Sequence, residues 1–303
     1  MSREKRGTWL VIMSALLWGV SGVTVQYVFM KGYFTTGQVV ALRMLLSGVL
    51  LLIYDVISKD SGVYRIFHSK CDVISLILFT VIGTAGVQYT FFAAVEAANS
   101  STASILQYVY PIIVLFIVTR QQHRHPTGME GFRICLAIIG TFFIATHGHM
   151  DSLAITGEAL GWGLTSALCL ALYTVFSKEM VAKWGTPVLN GWGMFLGGIL
   201  IAVLSYKDWS SFQLTGMSSL CLGIIVIFGT LIPFGTFLKG VLYVGSITAS
   251  ALCSIEVLAI LIWSMILFGQ KVFLGDMIGM ACIISAVVIP AIAERVERSL
   301  GKF

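Results

Sequence analysis

Charged residues are scarce in this sequence. Lysine, arginine, aspartate and glutamate make up only 11% of its 303 residues, whereas soluble domains carry about 25%. This deficit excludes a disordered chain, which needs high charge and low hydrophobicity, and it excludes an ordinary water-soluble globular protein. The chain is instead 57% hydrophobic, with a mean hydropathy of +0.93. We therefore predict a polytopic membrane protein with an all-α fold.

Motifs for ATP hydrolysis, catalysis and metal binding are also lacking. The sequence has no G-x-x-x-x-G-K-[ST] phosphate loop and no G-x-S-x-G or H-E-x-x-H motif. Its histidines have no carboxylate or cysteine partner at metal-binding spacing. Its six cysteines show no C-x-x-C spacing, which favours reduced thiols packed in helices. We therefore predict a protein that is not an enzyme and needs neither a cofactor nor a metal.

Ten stretches poor in charge approach the length of about 20 apolar residues that a bilayer span requires. A charged residue at the centre of a span costs about 2.5 to 3.5 kcal/mol of insertion free energy, so these stretches locate the predicted helices. The long run 73–119 is divided at Asn99, because Glu96 and the polar residues 99–101 interrupt it. The predicted spans lie near 8–29, 37–57, 73–95, 99–119, 130–148, 158–178, 187–206, 217–239, 247–268 and 275–293.

The basic residues predict the orientation of these spans. Fifteen of the 19 lysines and arginines fall on the same side of the membrane as the N-terminus, and the other four fall on the opposite side. Because basic residues concentrate in cytoplasmic loops, we predict that both termini are cytoplasmic in a multi-pass protein of the cell (plasma or inner) membrane. The net charge of +5 then indicates basic loops rather than a nucleic-acid surface. Arg43, early in the second span, is predicted to snorkel to the interface, in preference to the alternative that it binds substrate.

The two halves of the sequence resemble each other at an offset of 146 residues. Gly83-Thr84 aligns with Gly229-Thr230, and Thr102-Ala103-Ser104 aligns with Thr248-Ala249-Ser250. Chance similarity of short apolar motifs is the weaker explanation, because the second match is ungapped.

Each half, 1–150 and 151–303, then holds five predicted spans. Because five is odd, the second half enters the membrane from the side opposite to the first. We therefore predict ten transmembrane helices arranged as two inverted five-helix repeats, the arrangement behind alternating access in many secondary transporters.

Short motifs also recur in a fixed order along the chain. Residues 15–19, Ala-Leu-Leu-Trp-Gly, lie in the first predicted span, and Arg43 lies in the second. Residues 102–111 run from Thr-Ala-Ser to Tyr-Pro, and residues 248–256 run from Thr-Ala-Ser to Glu256. In this order the motifs resemble the EamA family of the drug/metabolite transporter superfamily over nearly the whole chain. The resemblance implies a carrier for small metabolites such as amino acids or choline-like cations, and it favours export.

Glu256 is the acidic residue predicted nearest the centre of the membrane. A carboxylate at this depth is a functional-site hypothesis by default. The alternative is a protonated carboxyl group that forms a structural hydrogen bond to a neighbouring helix. As a functional group, Glu256 would hold a positively charged part of the substrate, and proton coupling at this carboxylate is possible. Under the repeat, Tyr110 is the position that aligns with Glu256.

Aromatic and polar side chains are predicted at a similar depth. Rings and a carboxylate together suit a cationic or zwitterionic ligand, although a single ring is more often a packing residue. Pro111 and Pro233 interrupt the fourth and eighth spans and are predicted gating positions, although prolines in membrane helices are often tolerated without a functional role. The predicted substrate-binding residues are Glu256, Trp18, Tyr110, Gln107, Gln88, Tyr89, Tyr173 and Phe234.

The sequence therefore predicts a secondary transporter that moves a small organic metabolite, amino-acid-like or an organic cation, by alternating access. Its expected partners are that metabolite and the lipid bilayer, with no nucleic acid, and its expected state is a monomer or homodimer. Three alternatives come from other classes. An integral-membrane enzyme would need a polar cluster at one membrane face, and a channel would need a polar stripe or a charged ring. The third alternative is a non-transporting membrane assembly partner.

Overall fold

The computed structural model describes residues 3–57, 63–121, 123, 128–146, 155–244 and 246–299. All regular elements in these residues are helical. The α-helices are α1 (Arg3–Met30), α2 (Thr36–Ile57), α3 (Lys70–Leu78), α4 (Val87–Ala97), α5 (Ser100–Gln107), α6 (Tyr110–Gln121), α7 (Gly128–Thr146), α8 (Gly157–Trp184), α9 (Thr186–Leu204), α10 (Gly216–Val226), α11 (Ile232–Val244), α12 (Ser246–Phe268) and α13 (Leu274–Ser299).

Seven stretches of these helices are long and apolar enough to cross a membrane. They are Arg3–Met30, Thr36–Ile57, Lys70–Ala97, Ser100–Gln121, Gly157–Phe176, Thr186–Leu204 and Gly216–Phe237. Two shorter apolar helical segments follow, Ile255–Phe268 and Leu274–Ala286. The chain is therefore an all-helical, multi-pass membrane protein, whereas the arrangement of ten spans stays a prediction.

The helix break predicted at Asn99 is confirmed. Helix α4 ends at Ala97 and α5 begins at Ser100, so Asn99 occupies the N-cap position of α5. Its side-chain oxygen accepts a hydrogen bond of 2.8 Å from the backbone N–H of Thr102. This bond satisfies one of the amide groups that the first turn of a helix leaves without a partner, which fixes where the new helix starts.

Glycines allow the helices to approach closely. A Cβ atom at Gly48 of α2 would lie 2.5 Å from the backbone nitrogen of Phe195 in α9, and one at Gly198 of α9 would lie 2.8 Å from the backbone nitrogen of Leu45. Neither position therefore has room for a side chain. Close approach through small residues is a typical way of joining membrane helices, because lipid tails give apolar side chains little reason to associate.

Two π-helical segments replace α-helix in the interior of long helical stretches. The segment Phe79–Gly86 joins α3 to α4, and the segment Ile227–Leu231 joins α10 to α11. In the first, Thr84 donates a hydrogen bond of 2.8 Å to the carbonyl oxygen of Gly193 in α9. π-Helical turns are rare, and they occur frequently at functional sites.

Helix α1 packs against both α11 and α12. The hydroxyl groups of Ser14 and Thr236 lie 2.7 Å apart and join α1 to α11. A Cβ atom at Gly19 would lie 2.8 Å from the Cβ of Ala259, so α1 also lies directly against α12. Trp18, next to Gly19, is thus held where α1, α11 and α12 meet.

Opposite ends of α8 carry two different features. At its C-terminal end, Nζ of Lys183 lies 2.7 Å from Oδ2 of Asp72 at the start of α3. Thr156, which precedes its N-terminal end, lines a cavity of about 470 Å³. An ion pair therefore joins α3 to α8 at one end of α8, and a cavity lies beside its other end. All six cysteines are free thiols.

Candidate substrate-binding site

Arg43 is buried inside the helix bundle. Its Nε donates a hydrogen bond of 2.7 Å to the hydroxyl of Thr230, and its Nη2 donates one of 2.8 Å to the carbonyl oxygen of Gly229. Its guanidinium carbon lies 5.0 Å from the centre of the Phe92 ring. The prediction that Arg43 snorkels to the interface is wrong, because only 6% of the residue is exposed and its polar partners lie in the interior.

Gly229 is the point where three helical stretches meet. Its carbonyl oxygen, in the π-helical segment Ile227–Leu231, accepts hydrogen bonds from Arg43 of α2 and, at 3.1 Å, from the indole N–H of Trp18 in α1. A Cβ atom here would lie 2.9 Å from the Cβ of Ser21 in α1. Glycine is therefore required for the close approach, and its carbonyl fixes the positions of a cation and an aromatic ring.

Glu256 lies on α12, which packs against α1 at the residue after Trp18. The backbone of α12 at Glu256 is close to Gly19, whose hypothetical Cβ would lie 3.6 Å from the Glu256 carbonyl oxygen. The Glu256 side chain interacts electrostatically with Arg43, although the two groups are too far apart for a direct ion pair. Among the described residues, no hydrogen-bond partner is found for its carboxylate. A buried base, Arg43, and a partly buried acid, Glu256, thus lie in the same region of the bundle without a direct contact.

Tyr110 lies within electrostatic range of Glu256, as does Tyr108. The two tyrosine rings pack edge to face with their centres 6.0 Å apart. Tyr108 follows the end of α5 and Tyr110 is the first residue of α6, so the break between these helices directs both rings toward α12. The structure therefore brings together Glu256 and the tyrosine that the sequence repeat aligns with it.

An aromatic group surrounds Trp18. Its ring lies 5.4 Å from that of Phe234 in an edge-to-face arrangement and 5.3 Å from that of Phe237 in a tilted one. Phe234 was predicted at the site from the sequence and Phe237 was not, although both lie on α11. Trp18, Phe234 and Phe237 form what we call the aromatic group.

Three of the predicted binding residues contact α8 or the adjacent α9 instead. Gln107 donates a hydrogen bond of 2.6 Å to the hydroxyl of Ser166 in α8. Tyr89 packs edge to face against Trp162 of α8 with ring centres 5.9 Å apart. Tyr173, itself on α8, donates a hydrogen bond of 3.2 Å to the side chain of Asn190 in α9.

The remaining predicted positions lie close to helix irregularities. Gln88 is buried near the start of α4, directly after the π-helical segment Phe79–Gly86. Pro233 is the second residue of α11, and Pro111 is the second residue of α6. Pro111 lies in the first turn of α6, after the break that follows α5, so it interrupts no hydrogen bond of that helix. Pro233 lies inside the continuous helical stretch Gly216–Phe237, where its missing N–H removes one backbone donor. Each proline nevertheless follows directly after an irregular segment.

The cavity of about 470 Å³ lies beyond Glu256 toward one end of the bundle. Ile105 and Leu261 line it: Ile105 lies on α5 about one turn before Tyr108, and Leu261 lies on α12 about one turn after Glu256. The Ser101 hydroxyl and the Gln270 side-chain oxygen, also at this cavity, are buried and have no hydrogen-bond partner among the described residues. The volume is within the range of small-molecule sites, roughly 300 to 1,000 Å³. The sequence analysis did not identify this cavity.

Metal binding finds no support in the part of the chain that the structure describes. No group of three or more histidine, cysteine, aspartate or glutamate side chains comes together there. His125, His147 and His149 lie outside the described residues.

Known proteins resemble this chain along its whole length. The model of the EamA-like transporter family matches it twice, over residues 5–146 and 158–291. The chain is 31% identical over 295 residues to the "Uncharacterized inner membrane transporter YicL" of Salmonella typhimurium (strain LT2), covering 97% of this chain and 98% of that relative. It is 22% identical over 316 residues to an "Uncharacterized transporter" of Clostridium kluyveri, covering 98% and 97% respectively.

A solved crystal structure shares the fold. It superposes with a TM-score of 0.63 at 16% sequence identity, and the superposition covers 96% of this chain and 98% of the other. Because the identity is low, the likeness extends to the fold alone.

Proposed function

The chain belongs to the EamA-like transporter family, and we propose that it is a secondary transporter that carries a small organic metabolite by alternating access. The substrate is amino-acid-like or an organic cation, and the direction is export. The observation that supports a transport site is the presence of a buried cation, Arg43, and a partly buried acid, Glu256, inside the same helix bundle. Arg43 lies in the first match to the family model and Glu256 in the second, so the two matched regions meet at the proposed site.

The proposed architecture is ten membrane-spanning helices in two inverted repeats, residues 1–150 and 151–303. The two matches to the family model divide the chain at nearly the same place. The π-helical segments offer independent support, because Phe79–Gly86 and Ile227–Leu231 overlap at the 146-residue offset of the sequence repeat. Both termini are proposed to be cytoplasmic, on the distribution of basic residues, in the plasma or inner membrane.

Alternating access requires the bundle to close at one face while it opens at the other. The ion pair of Asp72 and Lys183 joins α3 to α8 at one end, while the cavity lined by Ser101 and Gln270 lies at the opposite end. This asymmetry supports a state that is open on the cavity side. Pro111 and Pro233 are proposed as gating positions, because each lies where a helix resumes after an irregular segment.

The binding residues fall into two proposed groups. Glu256, Trp18, Tyr110 and Phe234 form the central site, since all four lie around the contact of α1 with α12 and α11. The second group lines the path between the central site and α8. Its members are Gln88, Tyr89, Gln107 and Tyr173. Glu256 is also the proposed proton-coupling group, because it is the ionisable acid of the central site.

Exchange across proteoliposomes tests the proposal. Vesicles loaded with an unlabelled mixture of amino acids or of quaternary amines should accumulate the matching radiolabelled compound from outside, since carriers exchange substrates and scaffolds do not. Glu256→Gln should lower this counterflow, because it removes the charge of the proposed site. The matched control is Glu158→Gln, because Glu158 is exposed at the start of α8. Absence of exchange for both mixtures, with the wild-type protein inserted and folded, contradicts the proposed function.

A further inference from the structure

Two buried polar atoms at the cavity of about 470 Å³ have no hydrogen-bond partner among the described residues. They are Oγ of Ser101 and Oε1 of Gln270. A buried polar atom costs free energy unless a protein group, a water or a ligand bonds to it. None of the residues that line the cavity belongs to the proposed central site. These two atoms are therefore the places where a molecule in the cavity would form hydrogen bonds.

Ser101 has no partner because of its position in α5. A serine or threonine inside a helix commonly donates to the carbonyl four residues earlier, as Thr84 does to Thr80. Helix α5 begins only at Ser100, and the residue four positions before Ser101 is Ala97, the last residue of α4. Ser101 is nevertheless only 2% exposed. Its hydroxyl is thus buried without the usual bond to the helix backbone.

Gln270 is held in place by its backbone and by half of its amide group. It follows Gly269, whose φ of +62° ends α12 in a left-handed turn, and its backbone N–H donates to the carbonyl of Ser264. Its Nε2 donates a hydrogen bond of 3.3 Å to Oδ1 of Asn99. Because that oxygen also accepts the N–H of Thr102, the group that Gln270 presents to it must be the nitrogen. Oε1 of Gln270 is therefore an acceptor in a fixed position.

The unpartnered atoms of the cavity are uncharged, and its charged residues are occupied elsewhere. Lys271 is exposed, so its ammonium group is in contact with solvent. Asp276 accepts the backbone N–H of Phe273 at 3.1 Å, next to the start of α13. A charged ligand would therefore be buried without a dedicated counter-charge, which is costly. A hydroxyl group can donate to the amide oxygen of Gln270 and can either donate to or accept from the hydroxyl of Ser101.

We propose that this cavity is a binding site for a small uncharged molecule with several hydroxyl groups, such as a sugar or a polyol. One hydroxyl donates to Oε1 of Gln270 and another bonds to Oγ of Ser101, while Ile105 and Leu261 contact the carbon skeleton. The cavity volume is within the range of small-molecule sites. The site is additional to the proposed transport site and does not depend on transport.

Two series of ligands test the inference on the wild-type protein. Glucose is compared with glucosamine, a cation, and with glucuronate, an anion, and glucitol is compared with glucamine and gluconate. Equilibrium dialysis of the radiolabelled compounds against the purified full chain measures saturable binding, which distinguishes a site from the general stabilisation that polyols give to proteins. Glucose or glucitol should bind, and its charged counterparts should bind at least about tenfold more weakly, because the cavity pairs neither charge.

Variants locate the bound ligand. Ser101→Ala and Gln270→Met should each weaken binding about two- to tenfold, the loss expected for one hydrogen bond between neutral groups. Ser219→Ala and Gln213→Met are the matched controls, because both residues are exposed and do not line the cavity. With the native cysteines replaced, the ligand should also protect Ala98→Cys, at the cavity wall, from alkylation. This protection does not require either hydrogen bond.

The contrary outcomes are distinct. Absence of saturable binding for both glucose and glucitol would mean that the two atoms bond to water only, and it would overturn the proposal. Tighter binding of a charged counterpart would also overturn it. Binding that Ser101→Ala and Gln270→Met both leave unchanged would overturn it as well, and weaker binding by Glu256→Gln would then place the ligand in the central site. Dialysis is performed in detergent, so failure of this site leaves the proposed transport function to be decided by counterflow.

Discussion

Arg43 donates a hydrogen bond of 2.8 Å to the carbonyl oxygen of Gly229, a residue 186 positions further along the chain. The bond joins α2 to the π-helical segment Ile227–Leu231, and the same oxygen accepts the indole N–H of Trp18. One backbone carbonyl therefore orients both a cation and an aromatic ring beside Glu256. The position of the proposed site depends on this irregular helical turn as much as on the side chains themselves.

Replacement of Gly229 should therefore be damaging. In Gly229→Ala the added Cβ would lie 2.9 Å from the Cβ of Ser21, so α1 must move away from the π-helical segment. Overpacking of this kind costs about 1 to 3 kcal/mol of stability, and it should displace the acceptor for Arg43 and Trp18. We expect a lower unfolding temperature and reduced counterflow.

Gly223→Ala provides the control for this change. A Cβ at Gly223, on neighbouring α10, would have no non-local atom within 4 Å. Alanine is favoured over glycine in a helix by up to about 1 kcal/mol, so this variant should be as stable as the wild type or slightly more stable. Equal losses in both variants would contradict the role given to the carbonyl of Gly229.

The helix boundaries could be predicted from local sequence, because local chemistry determines them. The polar Asn99 after Glu96 predicted the break that the structure shows, since its side chain caps α5. Long apolar stretches likewise predicted the positions of membrane helices, because the cost of burying charge acts on each stretch separately.

The surroundings of Arg43 could not be predicted in the same way. Its acceptors, Gly229 and Thr230, lie in a π-helical turn that no sequence pattern identified, and they are brought to α2 by tertiary packing. Similarly, Tyr173 was assigned to the depth of Glu256, but its hydroxyl is bonded to Asn190 of α9. Depth along a span can be read from sequence, whereas the direction of a side chain around its helix depends on neighbouring helices.

The aromatic and tyrosine positions of the central site should matter for transport. Trp18→Ala removes the ring that contacts Phe234 and the donor to Gly229, and Tyr110→Ala removes a ring near Glu256. We expect both variants to lower counterflow while membrane levels, measured by immunoblot, stay near those of the wild type. Trp9→Ala, at an exposed position of the same α1 helix, should transport normally. Normal transport by both site variants would mean that the binding site lies elsewhere.

The charge of Glu256 should control the response of transport to pH. If this carboxylate takes up and releases a proton during the cycle, wild-type transport will change with pH, and Glu256→Gln will lose that dependence because its amide does not titrate. Initial rates measured across a pH series in proteoliposomes check this expectation. A pH profile of the same shape in both proteins, with unchanged substrate affinity, would leave Glu256 a structural residue.

The proposed membrane topology predicts opposite accessibility for two connections. Single cysteines at Thr35 and at position 60, introduced after replacement of the six native cysteines, should react with an impermeant maleimide from opposite sides of the membrane. Thr35 precedes α2, whereas Asp60 lies outside the described residues, after α2. Labelling of both from the same side would contradict the ten-span arrangement with cytoplasmic termini.

The ion pair of Asp72 and Lys183 should act on the transport cycle more than on stability. Both oxygens of Asp72 accept hydrogen bonds from Nζ of Lys183, at 2.8 and 2.7 Å, but the lysine side chain is 56% exposed. The Asp72 side chain is only 9% exposed, but the lysine end of the pair stays in contact with solvent, and such pairs contribute about 1 kcal/mol or less to stability. Asp72→Asn should therefore change the unfolding temperature little. If the pair closes this end of the bundle in the state open on the cavity side, Asp72→Asn should slow counterflow, because that state is less populated.

Swapping the two charges distinguishes closure by the ion pair from a local effect of Asp72 alone. The double variant Asp72→Lys with Lys183→Asp restores an opposite pair across α3 and α8, so it should recover much of the rate that each single variant loses, which a double-mutant cycle quantifies. Lys70→Asp, an exposed charge change at the same end, should leave the rate close to that of the wild type. The proposal that this pair closes the bundle would be wrong if Asp72→Asn transported substrate at the wild-type rate. It would also be wrong if the charge-swapped double variant were folded in the membrane but recovered none of the lost rate. If the double variant recovers the transport rate and neither single variant does, attraction between the charges on α3 and α8, rather than either residue type, determines how long this face stays closed.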